Sequence, residues 1–117
     1  MTTTEVKRTA LACLEAWTSG DFERTRATLA DDVTFEGPLG STVGADEYVQ
    51  GVRGMAEIVK GADIHAVIGE GDDVSISYDL VTTTAGRIPT VGWYRLRDGK
   101  VRSVRAYFDP RPLVSPA

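Results

Sequence analysis

The segment at positions 90–110, TVGWYRLRDGKVRSVRAYFDP, constrains the fold of this chain more than any other. Asp98-Gly99 predicts a two-residue hairpin turn, because such turns need positive φ angles and glycine adopts them without steric cost. Strand-forming residues flank the turn on both sides, and neither face of the resulting hairpin is purely polar. We therefore expect one face to line an internal core or pocket and the other to be covered by a second subunit.

Length and composition predict one globular domain over residues 1–117. The 117 residues are 42% hydrophobic and 26% charged, which is ordinary for a protein with a buried core. A net charge of −4 without a basic cluster argues against nucleic acid and against a membrane as partners. The single Cys13 cannot form an internal disulfide, and the first residues lack the apolar run of a signal peptide, so we expect a cytoplasmic protein.

Helical periodicity dominates the first half of the chain. Thr3 or Thr4 is expected to cap a first helix, and Asp21 to cap a shorter second one. A third helix is expected over residues 46–60, where Gly51 and Gly54 would weaken it. The segment LGSTVGADEY is expected to be a loop that leads into this helix.

Strand patterns dominate the second half. A short strand over 33–37 precedes the third helix, and four strands over 64–68, 74–84, 88–96 and 101–108 follow it. Short turns between the last four strands predict an antiparallel meander. The order of elements predicts an α+β fold in which three N-terminal helices pack on a curved antiparallel sheet, with residues 110–117 as an extended tail.

A curved sheet wrapped around helices leaves a conical space, which the inward side chains would line. From the helices we expect Cys13, Leu14, Trp17, Met55 and Val59. From the strands we expect Phe35, Gly37, Ile76, Tyr78, Leu80, Thr82, Thr90, Gly92, Tyr94, Val104, Ala106 and Phe108. This apolar set suits a pocket for a small hydrophobic ligand, and it equally suits a core in which the same side chains fill the space.

Tyr78 and Tyr94 are the candidate catalytic residues. Either hydroxyl could donate a hydrogen bond to a ligand carbonyl and so help to hold an enolate. The competing interpretation is that each ring packs in the core and each hydroxyl bonds to the backbone. For Cys13, a role as nucleophile competes with that of an inert core thiol.

Other titratable residues give weaker signals. His65 is expected to face outward from its strand, and Glu36 and Asp109 are rim candidates for a base or ordinary solvated carboxylates. A single histidine with scattered carboxylates offers no metal-ligand spacing. We therefore expect neither a metal nor a cofactor.

The outer face of the hairpin combines aromatic residues with arginine. This mixture is typical of protein interfaces. We therefore expect a homodimer formed through Val91, Trp93, Arg95, Arg105 and Tyr107.

Three stretches carry a resemblance to a known family. They are SGDFERTRATLADDVTFEGPLGS, GADEYV and WYRLRDGKVRSVRAYFD. Together they resemble the nuclear transport factor two-like superfamily, most closely its SnoaL-like branch. The resemblance covers nearly the whole chain and implies a cone-shaped α+β barrel with a deep pocket, dimeric through the outer face of the sheet.

The superfamily includes enzymes, and their catalytic positions can be carried over. Ketosteroid isomerases have a tyrosine, a general-base aspartate and a proton-donating aspartate where this chain has Cys13, Gly37 and Gly92. Limonene epoxide hydrolases have an aspartate where it has Ala106. None of these four residues can do that chemistry.

Two hypotheses about function follow. The first is a SnoaL-like pocket protein that binds or acts on a small hydrophobic molecule, by cofactor-free isomerisation, cyclisation, dehydration or hydrolysis. The second is a non-catalytic ligand-binding or dimerisation module of the same fold.

Overall fold

Two helices begin the chain, each with a side-chain cap. In the computed structural model, which describes residues 1–114, α1 spans Thr3–Thr18 and α2 spans Phe22–Thr28. The hydroxyl of Thr2 accepts a hydrogen bond from the backbone N–H of the third residue after it at 3.2 Å, so the cap lies just before the predicted threonines. Asp21 caps α2 as predicted, by accepting a bond from a backbone N–H at 3.1 Å. Each cap satisfies an N–H group that the helix leaves unpaired.

A mixed sheet of six strands forms most of the remainder. Its strands are β1 (Leu29–Gly37), β2 (Gly40–Val43), β3 (Val59–Glu70), β4 (Asp73–Thr82), β5 (Arg87–Arg97) and β6 (Lys100–Phe108). Their order across the sheet is β2-β1-β6-β5-β4-β3. The antiparallel meander of the last four strands is confirmed. The expectation of a wholly antiparallel sheet is wrong in one place, because β1 runs parallel to β6.

The chain between the second and third helices contains more strand than the sequence predicted. β1 begins at Leu29 rather than at Val33, and β2 occupies part of the expected loop. β2 begins at one glycine with a positive φ angle, Gly40 at 146°, and ends just before another, Gly44 at 95°. The strand is therefore too short for an alternating pattern to be recognised in the sequence. Pairing with β1 creates this strand and places it at the edge of the sheet.

Two further helices complete the described structure. α3 spans Ala45–Ala56 and α4 spans Arg111–Val114. α3 is shorter than the predicted helix, because the chain enters β3 at Val59. The predicted extended tail instead begins with the single helical turn of α4, while residues 115–117 lie outside the described part of the chain.

The core lies between the helices and the concave face of the sheet, with α1 packed on β3 and β4. Burial alternates along β4 and β5, as expected for strands with one face toward this core. Burial does not alternate strictly along β6, because Val101 and Val104 are both buried although they lie three residues apart. Leu96 pairs with Val101 and Arg95 with Ser103, which leaves an extra residue in a β-bulge between them.

Residues 1–114 contain neither a membrane-spanning helix nor a cluster of metal-ligating side chains. No helix there is long and apolar enough to cross a bilayer. Over the same residues, the His, Cys, Asp and Glu side chains form no group of three or more that could hold a metal ion.

Candidate functional site

A cavity of about 310 Å³ opens between the concave face of the sheet and the helices. Its helical wall includes Trp17 from α1 and Tyr48, Val52 and Met55 from α3. Leu39 and Leu113, both outside the sheet, also line it. Its volume lies at the lower end of the range of about 300–1,000 Å³ that is usual for small-molecule sites.

Most of the predicted lining residues do line this cavity. They are Trp17, Phe35, Gly37, Met55, Tyr78, Leu80, Thr90, Gly92, Tyr94, Val104, Ala106 and Phe108. Their strands are neighbours in the sheet, so inward positions of β1, β6, β5 and β4 meet on one wall.

Five predicted lining residues do not reach the cavity. Cys13, Leu14 and Ile76 are fully buried in the core, where α1 packs directly on the sheet. Val59 begins β3 instead of continuing the third helix. Thr82 is used in the turn after β4, where its hydroxyl donates to the Gly86 carbonyl at 2.8 Å and accepts from a backbone N–H.

Two glycines on the sheet wall each lie under an aromatic ring. A Cβ at position 37 would stand 2.9 Å from Cζ of Phe35, and a Cβ at position 92 would stand 2.8 Å from Cε1 of Tyr94. Both distances are below van der Waals contact, so only glycine lets these rings lean along their strands. At positions 37 and 92, which the resemblance to ketosteroid isomerases aligns with aspartates, this chain therefore has an aromatic ring leaning over a glycine.

Three tyrosines line the cavity, and the buried thiol of Cys13 lies behind one of them. The Tyr48 hydroxyl lies 3.8 Å from the sulfur of Cys13, and the Tyr48 ring meets Phe35 edge to face with centroids 5.9 Å apart. Tyr78 and Tyr94 are only 5% and 2% exposed. Within residues 1–114 neither of their hydroxyls makes a hydrogen bond, and neither is a fully buried atom, so both stay accessible from the cavity.

Burial sets the protonation of these groups. Desolvation raises the pKa of all three tyrosines, and charge repulsion from Cys13 adds to each shift. Desolvation also raises the pKa of the Cys13 thiol. At neutral pH the tyrosines are therefore hydrogen-bond donors, and Cys13 is a protonated thiol rather than a nucleophile.

None of the described side chains that line the cavity carries a charge at neutral pH. The rim candidate Glu36 lies 3.5 Å from the guanidinium of Arg105 on the outer side of the sheet. Asp109 binds the guanidinium of Arg111 at 2.6 Å. His65 faces outward, with Nε2 3.3 Å from a carboxylate oxygen of Asp79.

The sequence also contained signals for lining residues that the prediction omitted. Tyr48, Val52 and Met55 follow the i, i+4, i+7 spacing of one helix face, so including Met55 should have brought in Tyr48. Thr42 lines the cavity from β2, and its buried hydroxyl has no partner within residues 1–114. It could not be assigned because β2 itself was read as a loop.

The five residues expected at a dimer interface lie on the convex face of the hairpin. Trp93 is half-buried there, and its indole N–H donates to Asp73 at 2.9 Å. The guanidinium carbons of Arg95 and Arg105 lie 5.4 and 5.8 Å from the Trp93 ring, within the range of cation–π interactions. Two apolar or aromatic side chains beside them, Val91 and Tyr107, are 39% and 52% exposed.

Solved structures with the same architecture come from several bacteria. An NTF2-like protein of unknown function from Cytophaga hutchinsonii is 29% identical, with a TM-score of 0.81 over 92% of this chain and 93% of that one. An epoxide hydrolase of M. tuberculosis, described as LEH-like, is 27% identical, with a TM-score of 0.79 over 92% and 84%. A protein from Kribbella flavida is 26% identical, with a TM-score of 0.85 over 91% and 88%.

Sequence comparison gives the family directly. No curated protein matches the chain. The profile of the SnoaL-like domain, however, matches residues 10–104. This match runs from the middle of α1 into β6, and it agrees with the resemblance that the sequence motifs carry. The chain therefore belongs to the SnoaL-like domain family and has its NTF2-like α+β fold.

Proposed function

We propose that the cavity binds a small, uncharged, hydrophobic molecule that carries at least one oxygen acceptor. The observation that carries this proposal is the pair of hydroxyls on Tyr78 and Tyr94, whose side chains line an apolar cavity and make no hydrogen bond within the described residues. A ligand that fills the cavity would shut these hydroxyls off from water, so a ligand oxygen that accepts from them would stabilise the complex.

The lining explains why the ligand is uncharged. Moving an ion from water into an apolar site costs several kcal/mol unless an opposite charge meets it, on the order of a thousandfold or more in affinity. No described lining residue supplies such a charge. Apolar burial against Trp17, Leu80 and Phe108 would supply most of the affinity instead.

Catalysis is the second candidate function. Two neutral donors that converge on one carbonyl oxygen would stabilise the negative charge of an enolate, which is the usual basis of cofactor-free proton transfer. Isomerisation, cyclisation, dehydration and hydrolysis all remain within this class, and one structural neighbour is described as an epoxide hydrolase. The lining offers no carboxylate or imidazole as a general base, which favours ligand binding over turnover.

We also propose that the protein is a homodimer that associates through the convex face of the hairpin. Trp93 supports this, because two arginines and Asp73 hold its ring in place before association. A side chain fixed in advance loses little conformational entropy on binding. The exposed Val91 and Tyr107 would contribute apolar contact area beside it.

The absence of a cofactor or metal and the cytoplasmic location stay predictions. They rest on the sequence, in which the only thiol is Cys13 and no metal-ligand spacing occurs. Cell fractionation and metal analysis of the purified protein would test them.

Removing the two hydroxyls tests the proposed function. The probe is 2-acetylnaphthalene, an uncharged aromatic ketone, titrated calorimetrically into wild type, Tyr78→Phe and Tyr94→Phe. Loss of one neutral hydrogen bond is expected to weaken binding about 2- to 10-fold in each variant, with the apolar contacts retained. Tyr107→Phe is the matched control, because it removes an exposed hydroxyl outside the cavity.

The outcomes separate clearly. If both cavity variants bind 2-acetylnaphthalene as tightly as wild type, the two hydroxyls do not contribute to binding. No binding to the wild type would contradict the proposal that this cavity takes such ligands. Turnover of a ketone or epoxide by the wild type, lost in both variants, would favour the catalytic candidate.

A further inference from the structure

Ala106 occupies the middle of a row of small residues on the cavity wall. It pairs with Gly92 of β5 on one side, and the parallel register of β1 with β6 places Gly37 on the other. A Cβ at position 37 would lie 3.8 Å from the Cβ of Ala106, in ordinary contact. Since neighbouring strands lie about 4.8 Å apart, β1 and β5 are separated by about 10 Å across this row.

An aromatic ring leans over each end of the row, and all three residues of the row line the cavity. The Phe35 ring leans over Gly37, and the Tyr94 ring leans over Gly92. β1 runs parallel to β6, whereas β5 runs antiparallel to it. The Phe35 ring leans toward the C-terminal end of β1 and the Tyr94 ring toward the N-terminal end of β5, so both rings lean in the same direction along the strands. Between them Ala106 contributes only a methyl group, and it lines the cavity.

A second observation points to a ligand at this place. The Tyr94 hydroxyl lies 3.4 Å from the Cβ that a side chain at position 92 would have, so it reaches over the row. Tyr94 as a whole is 2% exposed, yet its hydroxyl makes no hydrogen bond in the described part of the protein and is not a fully buried atom. A donor at the edge of a gap is therefore free for a group that enters the gap.

We infer that Ala106 is the floor of a slot between the Phe35 and Tyr94 rings, and that this slot selects ligands whose inserted end is a flat, uncharged ring with an oxygen acceptor. This inference rests on the proposed function, since it names the class of ligand for the same cavity. Ala106 is thereby a specificity-determining residue.

The width of the slot supports a flat ring. Aromatic rings in contact have centroids about 4.5–7 Å apart, so two flanking rings carried on strands about 10 Å apart admit one ring between them. A puckered saturated ring is thicker and would push against one side. Planarity, rather than hydrophobicity alone, is then the property that the slot recognises.

The test compares three matched probes by calorimetric titration. They are 2-acetylnaphthalene, its saturated analogue 2-acetyldecalin, and 2-naphthoate, which keeps the flat rings but carries a charge. Each is titrated into wild type, Ala106→Leu, which fills the slot, and Ala106→Gly, which widens it. Ala27→Leu on the exposed side of α2 controls for the added volume, and circular dichroism checks the fold of each variant.

We expect wild type to bind 2-acetylnaphthalene at least about tenfold more tightly than either other probe. Ala106→Leu is expected to lose most of this binding, and Ala106→Gly to lose most of the preference for the flat ketone, while Ala27→Leu behaves as wild type. If Ala106→Leu does not fold, the Ala106→Gly result decides. Equal affinity of wild type for the flat and saturated ketones, or an unchanged preference for the flat ketone in Ala106→Gly, would overturn the slot. Either result would leave the proposed binding function standing.

Failure of the proposed function gives a different result. In that case none of the three probes binds to wild type, and the slot is overturned with it. Binding of 2-naphthoate as tight as that of the ketone would overturn the requirement for an uncharged ligand.

Discussion

The ring of Tyr94 lies against the backbone of Gly92, two residues earlier on the same strand. A Cβ at position 92 would be 2.8 Å from Cε1 of that ring and 3.4 Å from its hydroxyl oxygen. Glycine is required here by a close approach and not by an unusual φ angle, since Gly92 is absent from the residues with positive φ. Tyr94 in this position lines the cavity.

Gly92→Ala is expected to lower the free energy of unfolding by about 1–3 kcal/mol, because the added methyl overpacks a fully buried ring. Urea unfolding monitored by circular dichroism measures this. Replacing Tyr94 with Leu in the same chain is expected to recover part of the loss, since the longer ring is then gone. Wild-type stability in Gly92→Ala would contradict the close contact.

Gly54→Ala is the matched control for that substitution. Gly54 lies exposed in α3, and a Cβ there would meet nothing within 4 Å. Alanine is the better helix former, so this change is expected to raise the free energy of unfolding by about 0.5–1 kcal/mol. If Gly54→Ala is also destabilised, an added methyl group is harmful even without a close contact. The loss in Gly92→Ala could then not be assigned to the contact with Tyr94.

Alkaline pH is expected to destabilise the protein. Burial raises the pKa of Cys13, Tyr48 and Tyr94 above their ordinary values of 9.0 for the thiol and 10.0 for the phenols, so the folded chain keeps protons that the unfolded chain releases. Their contribution to the free energy of unfolding is fully present at a pH below these ordinary pKa values. It is lost as the pH rises from the ordinary pKa values toward the raised pKa values of the folded protein. The slope is about 1.4 kcal/mol per pH unit for each proton retained.

Urea unfolding between pH 7 and pH 11 checks this dependence. Tyr94→Phe removes one of the titrating groups and is expected to show a shallower decline, whereas Tyr107→Phe, at an exposed site, is expected to follow the wild type. A free energy of unfolding that stays constant up to pH 11 would contradict the expectation that these buried groups keep their protons in the folded protein.

Trp93→Glu is expected to dissociate the proposed homodimer. The indole would lie at the centre of the interface, where loss of an anchor costs about 2 kcal/mol or more, equivalent to a 30-fold or larger rise in the dissociation constant. Sedimentation at micromolar concentration measures the change, and Gln50→Glu on α3 controls for the added charge. A wild-type monomer, or a Trp93→Glu dimer, would refute association through this face.

Local patterns predicted the hairpin and the inward face of the sheet. Asp98 and Gly99 have φ angles of 51° and 78°, as the predicted turn requires. Alternation along β4 correctly separated Tyr78 from its outward neighbours. These features depend on interactions between residues that are close in sequence, which is why the pattern contains them.

Features created by distant contacts were not predictable in the same way. β2 is a strand because Thr42 lies opposite Phe35, and β1 is parallel to β6 because the chain returns to it after the meander. The bulge that buries both Val101 and Val104 depends on the register with β5. At the site, the sequence showed only that positions 37 and 92 carry glycine and not a carboxylate. The structure shows that the rings of Phe35 and Tyr94 lie over these two glycines.

A crystal structure of the protein soaked with 2-acetylnaphthalene tests the central claim most directly. The account predicts ligand density over Ala106, with the ketone oxygen within about 3 Å of the Tyr94 or Tyr78 hydroxyl. Density confined to the convex face of the sheet, or a cavity that stays empty at saturating ligand, would contradict it.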